Sequence, residues 1–146
     1  MEFLHDEVIT EVKDYVFFKP NNKKELQEAV NLWSKNKEET LKKCGHISNW
    51  DTSLITNMSS LFYWKEKFND DISNWDVSNV TKMNRMFLNA RYFNQNINGW
   101  DVSNVEQINL MFRNAHRFNK SLNSWDVGNV TQMAHIFRGA KAFNGN

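Results

Sequence analysis

The sequence predicts an α/β repeat solenoid of four 25-residue coils, each with a short parallel strand and a short helix, behind an N-terminal helical cap. Three observations predict it. Trp50, Trp75, Trp100 and Trp125 recur every 25 residues. The columns around them keep the same step without one insertion, so every unit occupies the same geometric slot. Residues before about 45 do not obey the repeat at all.

The columns carry the apolar residues. One is Ile47, Ile72, Ile97 and Leu122, and another is Ile55, Val80, Val105 and Val130. Met58, Met83, Ile108 and Met133 form a third, and Phe62, Phe87, Phe112 and Phe137 a fourth. Phe68, Phe93, Phe118 and Phe143 are followed by Asn69, Asn94, Asn119 and Asn144. The 146-residue chain holds eleven Phe, six Trp and three Tyr, yet its mean hydropathy is −0.67, so burial must be concentrated at these positions. One unit cannot bury its own Trp, Met and Phe, whereas stacked units continue each column through a shared core.

Each unit mixes two local patterns. Ile97 to Ser103 is rich in β-favouring residues and predicts the strand. Val80, Met83, Phe87 and Ala90 fall at steps of three, four and three, which predicts the helix, with Ser78 or Asn79 as its cap. Parallel strands about 4.8 Å apart make four coils a rod on the order of 20 Å long. Corner Asn residues suit amide ladders between coils, and the Asp after each Trp suits bonding to nearby backbone N–H groups.

Residues 1–45 predict the cap and residues 46–146 the repeat, as one cooperative unit. Asn22 with Glu25 approximates a capping box after Pro20, and Leu26, Ala29, Val30 and Trp33 then form one helical face. Lys37 to Cys44 continues as a second short helix with Leu41 and Cys44 inward, and Gly45 ends it. Leu4, Val8, Val12 and Val16 at steps of four predict a first helix. The first coil departs from the others at Thr52, Leu54 and Lys65, where later units have Val, Asn and Ala, as expected beside a cap.

Composition narrows the function classes. A net charge of +1 provides no strong field for nucleic acid or an anionic membrane. One cysteine, Cys44, precludes an internal disulfide and points to a reducing compartment. The acidic start, Met1 to Glu7, lacks a signal peptide's basic and apolar regions, and no run of 18 apolar residues predicts a membrane span. Sequons at Asn57, Asn79, Asn119 and Asn129 would place sugars inside tightly stacked repeats, which disfavours a eukaryotic secretory route. A cytoplasmic or intracellular location, with virus-encoded origin as one option, is therefore expected.

The run Phe93-Asn94-Gln95-Asn96-Ile97-Asn98-Gly99-Trp100-Asp101-Val102-Ser103-Asn104-Val105, followed by Met111-Phe112-Arg113-Asn114-Ala115, resembles a known family. It is similar to the BspA-like leucine-rich repeats, specifically the bacterial surface-protein and mycoplasma lipoprotein-associated repeat, over about residues 46–144. The segments from Glu25 to Val30 and from Gly45 to Ser53 are similar to the capped version found in large DNA viruses and unicellular algae. The resemblance implies a leucine-rich-repeat-like solenoid used for adhesion or protein interaction, with no catalytic residues. Bacterial members are typically surface lipoproteins; with no lipobox or signal read at Met1 to Glu7, an intracellular or virus-encoded binding role is expected instead.

Residues that break the repeat are the candidate site, because the fold does not dictate them. Arg85, Arg91, Arg113, His116, Arg117, Arg138 and Lys141 make a basic stripe on the predicted helix side. Arg113, His116, Arg117 and Lys120 share a face if that turn is helical. The stripe reads structurally as a solvated face and functionally as a docking surface for an acidic protein or a phosphate-bearing ligand; nucleic acid is disfavoured because the stripe is short and the Asp column and the cap offset it. Leu122, Trp125, Phe137 and Phe143 are expected at an open end, a contact for a partner or for a homodimer. The column Asp51, Asp76, Asp101 and Asp126 has calcium as its functional reading and local N–H bonding as its structural one. His5, His46, His116 and His135 show no metal-ligand spacing, and Cys44 reads as a small buried residue. No phosphate loop, nucleophile elbow or HExxH motif occurs, so neither enzymatic activity nor a cofactor is expected. The reading is a non-catalytic protein-interaction module, with a structural part of an assembly such as a virion, joined through its ends, as the alternative.

Overall fold

Residues 16–145 are described by a computed structural model. Helix α1 spans Lys23–Lys35. The Asn22 side chain accepts from the Glu25 N–H at 3.0 Å, and Glu25 Oε2 accepts from the Asn21 N–H at 2.8 Å, so the cap and the first turn bond each other reciprocally. Leu26, Ala29, Val30 and Trp33 are buried, as their spacing predicts. Asn36 both closes α1, its N–H donating to Leu32 O, and caps α2 (Lys37–Cys44), its side chain accepting from the Glu39 N–H. On α2 the inward residue is Thr40, not Leu41, which is 42% exposed. Thr40 Oγ1 donates to Asn36 O at 2.8 Å, so the hydroxyl is buried with a partner. Gly45 ends α2 at φ +69°, where an added Cβ would meet Val16 O at 2.8 Å. The helix expected around Leu4, Val8 and Val12 lies outside the described residues.

The repeats correct the fold class. They are not an α/β solenoid with parallel strands and short helices, and the leucine-rich-repeat arrangement does not form. Among the described residues the α-helices are α1 and α2, a single 3-10 turn covers Ile47–Asn49, and no strand is present. Each coil is a succession of turns, and the coils share only isolated parallel bridges, Asn57 to Lys82 to Gln107 to Gln132.

Hydrogen bonding explains why Val80 to Ala90 is not a helix. The N–H groups of Met83, Arg85, Phe87 and Asn89 do not turn back along the segment. They donate to Gln107, Asn109, Met111 and Arg113 carbonyls of the next coil, at 2.8 to 3.0 Å. The alternate N–H groups, of Met86, Leu88 and Ala90, close three-residue turns onto Met83, Arg85 and Phe87 carbonyls. Met58, Ser60, Phe62 and Trp64 donate to the second coil in the same register, and Ile108, Leu110, Phe112 and Asn114 to the fourth.

Such alternation needs left-handed residues. Ser60, Arg85, Leu110 and His135 have φ of 56° to 60°, as do Trp64, Asn89 and Asn114 within 57° to 60°, with Gly139 at 76°. Two left-handed residues per coil are incompatible with a continuous right-handed helix. In the second of these columns Asn114 Nδ2 donates to Asn89 Oδ1 at 2.8 Å. At Gly139 a Cβ would collide with Asn114 Oδ1, so the column closes on the residue without one.

The Trp-Asp-Val-Ser segment is likewise a turn rather than a strand. Trp100 N–H donates to Ile97 O, Val105 N–H to Val102 O, and Asp101 Oδ1 accepts from the Ser103 N–H. Side chains then tie the coils together. The indoles of Trp75, Trp100 and Trp125 donate to carbonyls of Ile47, Ile72 and Ile97 at 2.8 to 3.1 Å. Asn79, Asn104 and Asn129 amides donate to Ser53, Ser78 and Ser103 carbonyls, and the N–H groups of Asn94, Asn119 and Asn144 donate to the side chains of Asn69, Asn94 and Asn119.

The core is two phenylalanine columns and their neighbours. Phe62, Phe87, Phe112 and Phe137 stack at 5.4 to 5.6 Å, and Phe68, Phe93, Phe118 and Phe143 at 5.8 to 5.9 Å, all nearly parallel. Such aromatic pairs contribute about 0.5–1.5 kcal/mol beyond their area. Helix α1 closes the first coil. Gln27 donates to Leu61 O at 3.0 Å, Trp33 Nε1 to Asp70 Oδ2 at 2.9 Å, and Trp33 meets Trp50 edge-on.

Truncating a ring in mid-column should cost more than truncating one in the last coil. Phe87→Ala, at a fully buried site, is expected to lose about 3–5 kcal/mol in urea denaturation. Phe143→Ala, already half-exposed, should lose about 1–2 kcal/mol. Equal losses would contradict this gradient of burial.

Candidate functional site

Because the segment after each Phe is turned rather than helical, helical spacing does not define the basic face. Asn114, left-handed, separates Arg113 from His116 and Arg117, so the expected face of Arg113, His116, Arg117 and Lys120 does not follow. Neighbours are set instead by position in successive coils. Arg91, His116 and Lys141 occupy one column, which begins with Glu66. Arg91 Nε lies 3.9 Å from Glu66 Oε1. Backbone bonds hold the column in register, from Arg117 N–H to Arg91 O and from Ala142 N–H to His116 O.

Arg117 follows in the adjacent column, its guanidinium 4.1 Å over the Tyr92 ring. That stacking fixes a long side chain in one orientation. Arg113 and Arg138 share a further column, three residues before His116 and Lys141. Arg85 stands apart, on an exposed left-handed corner with its own N–H bonded to Asn109 O. Arg91, Arg117, Arg138 and Lys141 are exposed, while Arg113 and His116 are half-buried. Among the described residues, only Arg91 of this set has a carboxylate at ion-pair distance.

The four end residues differ from their counterparts. Leu122, Trp125, Phe137 and Phe143 are half-buried against the core, whereas Ile97, Trp100, Phe112 and Phe118 are at most 3% exposed. The backbone of this coil repeats the donor row of the others. The N–H groups of Met133, His135, Phe137 and Gly139 have no acceptor among the described residues.

The Asp column is held locally. Asp51, Asp76, Asp101 and Asp126 each accept from the N–H two residues on, and Ser78 and Ser103 hydroxyls add bonds of 2.6 Å to Asp76 and Asp101. Bonding to Ser53 and Ser103 holds the Asp51 and Asp101 carboxyls below their ordinary range. Among the described residues no group of three His, Cys, Asp or Glu is placed to hold a metal ion. Cys44 is half-buried, and burial pushes its thiol up, away from nucleophilic character. No described helix is long and apolar enough to cross a membrane.

One feature escaped sequence reading: a cleft of about 450 Å³ where α1 meets the first coil, walled by Trp33, Trp64, Lys65 and Asp70. Its signal was available in the break from Ala to Lys65, and in Trp64 standing where other coils have Asn89, Asn114 and Gly139.

His116 makes stability sensitive to pH. Burial, then the charges of Lys141 and Arg91, lower it below its ordinary value of 6.5. Below pH 6.5 the unfolded chain therefore binds more protons than the folded one. This contribution is complete above pH 6.5 and is lost as pH falls through the lowered folded value. A melting temperature followed from about pH 8 to pH 5 should decline on the acid side, and His116→Asn should reduce that decline. An unchanged slope in the variant would show that the column does not repel a proton there.

The sequence model of the family described as "Mycoplasma protein of unknown function, DUF285" matches residues 21–146. No curated protein and no solved structure matches the chain. The match takes in α1, α2 and all four coils, and the chain belongs to this mycoplasma-type repeat family.

Proposed function

We propose that this chain is a non-catalytic protein-interaction module that docks an acidic partner protein on the basic flank of its second to fourth coils. The observation that carries this is the set of cations at repeated coil positions with a single carboxylate among them. Arg91, His116 and Lys141 follow one another along the stack, with Arg113, Arg117 and Arg138 in nearby columns. None of these side chains is needed by the ladder, whose donors and acceptors are backbone groups. Arg117, already ordered over Tyr92, would lose less freedom on binding than a free arginine. The family match over residues 21–146 takes in the cap of α1 and α2, so the cap lends no support to a separate likeness to the viral and algal form.

A second reading, assembly through stacked ends, draws on the fourth coil. Whatever covers that coil, a further coil or another chain, must bring acceptors to Met133, His135, Phe137 and Gly139 and apolar surface to Phe137 and Phe143.

Reversing Arg113→Glu and Arg117→Glu together separates the two. On the first reading, the pair weakens capture of acidic proteins from a source lysate at least tenfold and leaves the oligomeric mass unchanged. Unaltered capture would remove it. Loss of concentration-dependent mass on Phe137→Glu, with capture intact, would favour assembly.

A further inference from the structure

The repeat supplies its own control for what the fold requires at each position, and the first coil violates it beside the cleft at α1. The second left-handed column holds Asn89, Asn114 and Gly139, residues that tolerate positive φ. The first coil places Trp64 there at φ 59°, and leaves its indole 52% exposed. Bulky side chains do occupy the first left-handed column, at Arg85, Leu110 and His135, but in the second column Trp64 departs from every other coil. The substitution leaves about half of the indole in solvent. The next column holds Ala90 and Ala115, both fully buried, and Ala140, whereas the first coil has Lys65.

These two departures line the same cavity. Trp64 and Lys65 face Trp33 and Lys37 of the α1–α2 region across about 450 Å³. The far wall is fixed. Trp33 Nε1 donates to Asp70 Oδ2 at 2.9 Å, Lys37 Nζ to Asp70 Oδ1 at 3.2 Å, and the Lys37 ammonium sits 5.2 Å over the Trp33 ring. Asp70 is thus engaged by Lys37, and Glu66 faces Arg91. Lys65 and Lys67 have no carboxylate at ion-pair distance among the described residues. Burial also lowers the Lys65 ammonium from its ordinary value, the direction an anion would reverse.

We propose that this cleft is a ligand site for a flat apolar group joined to an anion, with the ring on the exposed face of Trp64 and the anion at Lys65 and Lys67. The space suits a single side chain or a small molecule rather than a folded surface. An aromatic residue next to an acidic one in a partner's peptide, and a free aromatic carboxylate, share this chemistry. The site lies in the first coil, apart from the basic flank of the later coils.

The test uses the whole chain and the variant Trp64→Asn/Lys65→Ala, which restores the residues of the later coils. Probes are 2-naphthoate, the uncharged 2-naphthylmethanol, and the peptide acetyl-Glu-Phe-Glu-amide, followed by shifts of the Trp33 and Trp64 indole N–H signals. Naphthoate or the peptide should give a saturable shift at millimolar concentration, at least tenfold tighter than the alcohol and weakened by salt. Binding by the peptide alone assigns the site to a protein partner, and binding by naphthoate alone to a free small molecule. The variant should bind at least tenfold more weakly while melting at the same temperature or higher. Arg113→Glu/Arg117→Glu should leave probe binding unchanged, which separates this site from the flank. A variant that melts lower would make Trp64 and Lys65 structural residues and overturn the proposal. Absence of a saturable shift with either anionic probe, or equal binding by the variant, would overturn it too.

Discussion

In the segment from Met83 to Asn89 and its equivalents, each coil hands alternate backbone donors to the next, residue i to the carbonyl 24 positions on. Everything else in the structure follows from that constraint. Peptide groups can point along the stack at alternate residues only if the chain changes hand between them, and this places a left-handed residue at Arg85 and again at Asn89. The same geometry fixes the side chains. Phe87 lies over Phe62 and under Phe112 because their N–H groups belong to the same ladder, and the Trp100 indole reaches Ile72 O because the coils do not slip. Backbone satisfaction and core packing are one requirement here, so an insertion of a single residue would break both.

The requirement also leaves surface positions free. Columns that the ladder and the core do not use can vary from coil to coil without disturbing the stack. The side chains of Arg91, Arg117, Arg138 and Lys141 are exposed, and Arg91, Arg117 and Arg138 lend only backbone groups to the hydrogen bonds of the stack. Trp64 and Lys65 differ in kind. They sit at positions where the other coils have small or turn-favouring residues, and so run against the local preference of the fold.

Much of this was legible in the amino-acid sequence, and what was not has a common physical origin. The period, the apolar columns and α1 follow from spacing and capping, because Trp50, Phe62 and Asn22 act through patterns that survive any backbone geometry. The secondary structure within the coil did not follow. Val80, Met83, Phe87 and Ala90 have helical spacing, but spacing reports which side chains face inward and not where the N–H groups go. A turn with alternating hand places the same residues inward. The clue was the column of Asn89, Asn114 and Gly139, whose common property is tolerance of positive φ. Leu41 misled for a simpler reason: α2 is short, and its buried position went to Thr40, whose hydroxyl bonds back to Asn36. The basic stripe was visible as composition, but its grouping was not, since helical steps assigned neighbours that the turns do not make.

Amide hydrogen exchange, residue by residue, addresses the ladder most directly. Exchange at Met83, Arg85, Phe87 and Asn89 should be slow, because each N–H is held by the following coil in the interior of the stack. In this chain the equivalent amides of Met133, His135, Phe137 and Gly139 should exchange quickly, since no described acceptor meets them. Rapid exchange at Arg85 and Asn89, equal to that at His135 and Gly139, would mean that the coils do not hand their donors forward, and the account of the stack would fail.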